Sequence, residues 1–160
     1  MGDLLAGEYP GGKEPSGARP RIDILVDAGI RTFVDLTTPA DPLEPYEPLL
    51  GSVATARALD LRHVSFPVPD LGVVADAEYY TITATIEKAL RRGGVYVHCW
   101  DGVGRTGTVL GCVLVDQGLS YEEAIKRLAT LRHGTRKADR RAPEMQVQYD
   151  VIMRRAAAKR

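Results

Sequence analysis

The sequence has few cysteines, no excess of either charge and no long apolar run. Cys99 and Cys112 are its two cysteines, which argues against a disulfide framework and fits a reducing compartment. Basic and acidic residues both number 21, so no overall field favours nucleic acid or an anionic membrane. The first residues lack the pattern of a secretory signal, and no stretch approaches the roughly 20 apolar residues of a membrane span. We therefore expect a cytoplasmic protein that binds neither nucleic acid nor membrane.

The rest of the composition is that of an ordinary folded domain. Hydrophobic residues make up 44% and charged residues 26% of the chain, close to the average for globular proteins. A chain of 160 residues is long enough to bury one hydrophobic core and too short for two cores of ordinary size. We expect one domain over residues 1–160, and a monomer.

Apolar spacing and turn formers predict alternating strands and helices. Clustered prolines and glycines mark residues 10–20 and 37–48 as loops. Ser120, with Glu123 three residues later, has the pattern of a capping box at a helix start. Strands are predicted at residues 30–36, 61–65 and 95–98. Helices are predicted at residues 22–28, 47–59, 77–91 and 106–117, from Ser120, and from Pro143 to the C-terminus. This alternation predicts an α/β sheet with helices on both faces.

The segment from residue 98 to residue 106 has the strongest chemical pattern. It reads His-Cys-Trp-Asp-Gly-Val-Gly-Arg-Thr and lies between a predicted strand and a predicted helix. A glycine-rich turn in this position gathers backbone N–H groups at the positive end of the helix dipole, which makes a site for an anion. Gly102 and Gly104 allow the required backbone conformations, and Arg105 adds a planar fork that binds two phosphate oxygens. We call residues 99–105 the cradle loop.

Cys99 lies at the mouth of this loop. The helix N-terminus and Arg105 favour the thiolate form, which is the nucleophilic form of cysteine. The alternative is that Cys99 is an inert buried residue at the end of a strand, the commonest fate of a lone cysteine. Its arrangement with His98, Arg105 and Thr106 favours the nucleophile.

His98-Cys99, five further residues and Arg105-Thr106 resemble the signature of the protein tyrosine phosphatase superfamily, and the compact length resembles its dual-specificity branch. The resemblance implies a mostly parallel sheet of four or five strands flanked by helices on both faces. It also implies a phosphocysteine intermediate, no metal or other cofactor, and a phosphorylated protein or small phosphoester as substrate. Phosphotyrosine is the expected target, with phosphoserine and phosphothreonine left open.

Positions that match the motif take their roles from the resemblance. Cys99 is the expected nucleophile, Arg105 the phosphate clamp, and Thr106 the hydroxyl that stabilises the departing thiolate. His98 supports the loop and the thiolate, and it also fits a satisfied core histidine. The expected substrate-binding residues of the loop are Trp100, Asp101, Gly102, Val103, Gly104 and Arg105. At the other end of the chain, residues 4–10 resemble the opening strand and turn of compact members.

Cleavage of a phosphate ester also requires a proton donor for the departing oxygen. In the family this acid follows a proline in a mobile loop, and Val68-Pro69-Asp70 stands 29 residues before Cys99. Val68 takes the place of a usual tryptophan, as in other dual-specificity members. Asp70 is therefore the expected acid, against the alternative that it caps a turn. Asp76 fits a helix N-cap better.

Two further features lie near the motif. Asp101 would repel phosphate if it faced the anion site, so we expect it to point outward and to disfavour heavily anionic substrates such as inositol polyphosphates. Residues 132–141, the basic segment, hold five basic groups and by default form a solvated face. The residues that follow resemble a Pro-Glu-x-x-x-Gln segment, in which Gln148 would position the hydrolytic water, with Gln146 in reserve.

Two other classes of function stay open at this stage. One is a phosphate-binding module without turnover, although such members usually lose the cysteine, the arginine or the acid. The other is a sulfurtransferase or an arsenate reductase, which also place a cysteine in an anion loop. A sulfurtransferase has no need of Asp70, and an arsenate reductase needs further thiols, for which Cys112 on a buried helix is poorly placed.

Overall fold

Four short segments rich in β-branched and apolar residues form the sheet at the centre of the protein. The computed structural model describes residues 2–12 and 15–159. Within these residues the strands are β1 (Leu4–Gly7), β2 (Ile30–Asp35), β3 (Arg62–Ser65) and β4 (Gly94–His98). All neighbouring pairs are parallel, in the order β1-β4-β2-β3. The predicted α/β fold is confirmed, and β4 lies inside the sheet with every residue buried.

Six helices cover the two faces of this sheet. They are α1 (Ala18–Asp27), α2 (Glu47–Arg57), α3 (Asp76–Leu90), α4 (Gly104–Asp116), α5 (Tyr121–Arg132) and α6 (Gln146–Ala157). Helices α1 and α2 pack on Phe33 and Tyr96, whereas α3 to α6 enclose Val95 and Val97. Because side chains alternate along a strand, β4 contributes to both cores. No helix in the described part of the chain is long and apolar enough to cross a membrane.

The predicted loop at residues 10–20 is wrong at its C-terminal end. A 3-10 helix spans Pro15–Gly17, and α1 already begins at Ala18. Pro20 therefore lies in the first helical turn, where a missing backbone N–H breaks no helical hydrogen bond. Residues 13 and 14 of this loop lie outside the described residues.

Two predicted helix starts are also corrected. The last helix begins at Gln146 and not at Pro143, because the Gln148 side-chain oxygen accepts the backbone N–H groups of Glu144 and Met145 outside the helix. Asp76 is the first residue of α3 and not its N-cap, which is Ala75. The capping box of Ser120 and Glu123 is confirmed.

Candidate active site

The cradle loop lies at the carboxyl end of β4, in the middle of the sheet. Strand β4 ends at His98 and α4 begins at Gly104, so the loop is short and fixed at both ends. Cys99 is 3% exposed. The N-terminal N–H groups of α4 have no helical acceptor, and the helix dipole is positive here. The strand, turn and helix expected from the sequence are all present.

Gly102 gives the loop its curvature. Its φ is +69°, a left-handed conformation that side chains with a Cβ rarely adopt. A Cβ at this position would also lie 2.4 Å from the backbone of Gly7, so the loop packs directly on the end of β1. The Gly102 N–H donates to the Cys99 sulfur at 3.3 Å. A backbone donor of the loop thus points at the Cys99 sulfur.

His98 is fully buried beneath the loop and is neutral. Burial lowers its pKa to about 4, against the opposing charge of Asp35. Its Nδ1 lies 3.3 Å from the Cys99 carbonyl oxygen, and its Nε2 lies 2.8 Å from the Tyr46 hydroxyl. A carbonyl can only accept, so the proton is assigned to Nδ1 and Tyr46 donates to Nε2. His98 therefore contacts both the Cys99 carbonyl and Tyr46, and it is a satisfied core histidine.

Arg105 is held by a carboxylate that the sequence did not reveal. Its side chain is 2% exposed and that of Asp41 is 3% exposed. Nη1 and Nη2 of Arg105 donate to the two Asp41 oxygens at 2.8 and 3.0 Å, and Nη1 also donates to the Val68 carbonyl at 3.2 Å. Among the described residues Nε–H makes no hydrogen bond, and the remaining N–H of Nη2 has only Asp70 nearby, at 3.2 Å. These two N–H groups are parallel in the planar guanidinium, an arrangement that suits two oxygens of one phosphate.

Burial and charge act in opposite directions on this pair. Burial alone would raise the pKa of Asp41, but hydrogen bonds from Arg105 and Thr38 hold it below its usual range. Burial would likewise lower the pKa of Arg105, which the contact with Asp41 keeps above its ordinary value. Both groups are therefore charged at neutral pH.

One signal could have found Asp41. It follows β2, the direct neighbour of β4 in the sheet, and carboxyl ends of adjacent parallel strands share one edge.

Asp70 reaches the same edge of the sheet from the loop that follows β3, residues 66–72, here called the acid loop. Its Oδ1 lies 3.2 Å from Nη2 of Arg105, and its side chain is 58% exposed. Val68, at the position of the usual tryptophan, is buried in the core. The structure thus brings Asp70 to the cradle loop and leaves it accessible to solvent.

Thr106 and Gln148 lie close to the loop and differ in their hydrogen bonding. The Thr106 side chain is buried, and its hydroxyl has no hydrogen-bond partner among residues 2–12 and 15–159. Gln148 is also fully buried. The Gln148 amide oxygen lies 3.1 Å from the position that a Cβ on Gly104 would take. The Gln148 Nε2 donates to the Gly72 carbonyl at 3.2 Å. The reserve candidate, Gln146, is instead bonded to Asp150 on the exposed surface of α6.

The basic segment binds Asp101 through its side chain. Its carboxylate pairs with Lys137 at 3.2 Å and with Arg140 at 2.7 Å. The hydrogen bond from Arg140 is the main cause that holds the pKa of Asp101 below its usual range.

A groove flanks the loop on this side. Its volume is about 870 Å³, and its lining includes Tyr9, Leu25, Leu43, Trp100 and Asp101. Trp100 therefore borders a space beside the anion site, and its side chain is half-buried.

Cys112 is separate from this chemistry. It is fully buried in α4 and free, as is Cys99. Burial raises its pKa to about 12, which keeps the thiol protonated at neutral pH. It is a poor resolving thiol for an arsenate reductase.

The comparisons with known proteins agree with this geometry. The sequence model of the PTP-SAK family, described as the Swiss Army Knife protein, DSP-PTPase phosphatase domain, matches residues 14–160. Tk-PTP in its active form is 24% identical, with a TM-score of 0.73 over 98% of this chain and 93% of that chain. TpbA from P. aeruginosa in complex with pTyr is 21% identical, with a TM-score of 0.60 over 87% of this chain and 80% of that chain.

A third solved structure extends the range of named activities. The core catalytic domain of the PP-IP phosphatase SIW14 from S. cerevisiae is 12% identical, with a TM-score of 0.62 over 99% of this chain and 88% of that chain. At these identities the structures show a shared fold. Since the matched segment of the sequence model includes the whole cradle loop together with Asp41 and Asp70, the chain belongs to the PTP-SAK family of DSP-PTPase phosphatase domains.

Proposed function

We propose that this phosphatase domain hydrolyses phosphomonoesters on proteins through a phosphocysteine intermediate, with phosphotyrosine as the principal target. One observation carries the proposal: Asp70 lies 3.2 Å from the guanidinium of Arg105, at the loop that also holds Cys99. A nucleophile, an anion clamp and a proton donor therefore share one edge of the sheet. These are the three groups that ester cleavage by covalent catalysis requires.

In the first step the phosphoryl group binds in the cradle loop. Its oxygens accept the N–H groups of Nε and Nη2 of Arg105 and the backbone N–H groups at the start of α4. The phosphate thereby replaces Asp70 at Nη2 of Arg105, and the freed Asp70 carboxylate takes up a proton from solvent and moves to the leaving oxygen. The Cys99 thiolate attacks phosphorus, the bond from phosphorus to the leaving oxygen breaks, and protonated Asp70 gives its proton to that oxygen.

In the second step water attacks the phosphocysteine. Asp70, now a carboxylate, takes a proton from the water, and the sulfur leaves as a thiolate. The buried Thr106 hydroxyl has no hydrogen-bond partner among the described residues, which supports a role as donor to that developing charge. Gln148 donates one amide N–H to Gly72 in the acid loop, and we assign its other N–H to the water.

The substrate proposal rests on the surroundings of the loop. The similar fold of TpbA holds pTyr, and the groove beside Trp100 offers space for residues that flank a phosphorylated side chain. A polyphosphorylated inositol is disfavoured as the substrate here, although the similar fold of SIW14 is named a PP-IP phosphatase. Lys137 and Arg140 are already paired with Asp101, which leaves these two cations poorly available to extra phosphates.

The first experiment tests the nucleophile with p-nitrophenyl phosphate in the presence of a chelator. We expect wild-type turnover, and a Cys99→Ser variant that still binds phosphate analogues without turnover. Full activity of the variant would refute the proposal. Wild-type protein that binds phosphate without turnover would indicate a binding module, and persulfide formation from thiosulfate would indicate a sulfurtransferase.

The second experiment tests the acid. Asp70→Asn should slow aryl phosphates with poor leaving groups far more than those with good ones, because only the former need a proton. Asp76→Asn is the matched control, since Asp76 pairs with Arg154 on the surface of α3 and α6. Equal losses for both kinds of leaving group would reject Asp70 as the acid.

A further inference from the structure

Three consecutive carbonyl groups of the cradle loop, those of residues 100–102, contact donors outside the loop. The Trp100 carbonyl accepts the backbone N–H of Tyr9 at 2.9 Å. The Asp101 carbonyl accepts Lys137 Nζ at 2.8 Å, and the Gly102 carbonyl has a long contact of 3.5 Å with Arg132. A loop that binds an anion must turn its N–H groups inward and its carbonyls outward. External donors therefore determine which way these peptide groups face.

Lys137 makes the most direct of the side-chain contacts. Besides the Asp101 carbonyl it contacts the Asp101 carboxylate at 3.2 Å and Glu8 at 3.3 Å. Arg140 bonds the other Asp101 oxygen and also Glu144. Asp101 is thus held at its backbone and at both side-chain oxygens by the basic segment.

These pairings change the interpretation of the basic segment. A solvated cationic face would leave its charges open to an anionic ligand, but Lys137 and Arg140 are both paired with acidic side chains of the same protein. Lys137 is only 23% exposed, whereas Arg136 is 86% exposed and, within residues 2–12 and 15–159, its side chain hydrogen-bonds only to Glu8. The segment therefore contacts the cradle loop through side chains whose charges are already paired within the protein.

We propose that Lys137 is a positioning residue that, together with Arg140 acting through Asp101, holds the cradle loop in its phosphate-binding conformation. This inference rests on the proposed function. If the Asp101 carbonyl turned inward, it would place a negative partial charge against the phosphate and remove an N–H donor from it. The contact of Lys137 with that carbonyl opposes this rotation.

The test measures the binding of inorganic phosphate together with the kinetics of p-nitrophenyl phosphate. Lys137→Met should weaken phosphate binding about 10-fold, the loss expected for one charged hydrogen bond, and should lower kcat/KM by a similar factor. Lys137→Arg can donate to the same two oxygens and should restore both values to within about 3-fold. The melting temperature is recorded for each variant, because a merely structural role would move it without a selective loss of phosphate binding.

Arg136→Met is the matched control. It removes the same charge from the neighbouring position but no contact to the cradle loop, so phosphate binding should change by less than about 2-fold. An equal loss in both variants would show a general charge effect and overturn the proposal. So would unchanged phosphate binding in Lys137→Met.

Asp101→Asn is a second variant, for use also if Lys137→Met does not fold. If Asp101 anchors the basic segment, the substitution weakens phosphate binding; if Asp101 only repels the anion, the substitution strengthens it and the inference fails. Failure of the proposed function is distinct, because wild-type protein would then show no turnover of p-nitrophenyl phosphate whatever these variants do.

Discussion

The neutral state of His98 predicts a loss of stability in mild acid. Its pKa in the folded protein is about 4, because burial disfavours the imidazolium, against 6.5 for an unperturbed histidine. The unfolded chain therefore binds a proton between these values that the folded protein does not. The free energy of unfolding therefore has its full value above about pH 6.5 and decreases as the pH falls toward 4.

The magnitude follows from the same two values. Between pH 6.5 and pH 4, each pH unit lowers the free energy of unfolding by about 1.4 kcal/mol. The decrease is therefore about 2 kcal/mol at pH 5 and about 3 kcal/mol in full. Domains of this size are stable by roughly 5–15 kcal/mol, so the effect is a large fraction of the total. Carboxyl groups with lowered pKa values, such as Asp41, lose their pairing only below about pH 4.

The assay is denaturant unfolding at pH 7 and pH 5 for the wild type and His98→Gln. Glutamine can still accept a hydrogen bond from Tyr46 but does not titrate. We expect the free energy of unfolding of the wild type to decrease by about 2 kcal/mol more than that of the variant between pH 7 and pH 5. Equal losses would refute the reasoning. If the variant does not fold, the NMR signals of the His98 ring give a second measurement, and a titration near pH 6.5 would contradict a neutral buried ring.

Three further substitutions test the framework of the site. Asp41→Asn should lower the free energy of unfolding by about 2–4 kcal/mol and kcat/KM by at least about 10-fold, because Arg105 stays buried without its counter-charge; unchanged activity would show that Asp41 does not orient Arg105. Gly102→Ala should destabilise the fold more than Gly134→Ala. Both glycines have positive φ, but of the two only Gly102 lies against another backbone. Equal decreases in the free energy of unfolding would show that backbone strain, and not the clash with Gly7, accounts for the whole effect. Thr106→Val should leave stability unchanged or raise it by up to about 1 kcal/mol, because it removes an unpaired hydroxyl. The same variant should accumulate phosphoenzyme in burst kinetics, and normal breakdown of that intermediate would exclude a role for the hydroxyl.

The predicted elements differ from the structure mainly where a local signal has two meanings. Pro20 suggested a loop, yet proline is tolerated in the first turn of a helix, and α1 contains it. Pro143 suggested a helix start, but the side chain of Gln148 satisfies the backbone N–H groups that follow it. The position of Pro20 in the first helical turn determined where α1 begins, and the contacts of Gln148 determined where α6 begins.

The sequence alone indicated the cradle loop, because its seven residues are consecutive and adjoin the strand before them and the helix after them. A buried strand, two glycines and a helix start specify the direction of the backbone donors locally, and Cys99 and Arg105 take their positions from that backbone. Asp70 was expected from the resemblance of Val68-Pro69-Asp70 to the acid loop of the family, and its role as the acid stays a prediction.

The tertiary structure decided which distant groups complete the site. Asp41 reaches Arg105 across 64 residues, Lys137 reaches Asp101 across 36, and Gln148 reaches Gly72 across 76. None of these pairs has a local pattern. They depend on the strand order, which brings the ends of β2, β3 and β4 to one edge, and on the path of the segment after α5. Loop contacts of this kind follow from packing and charge in three dimensions, which no periodicity along the chain encodes.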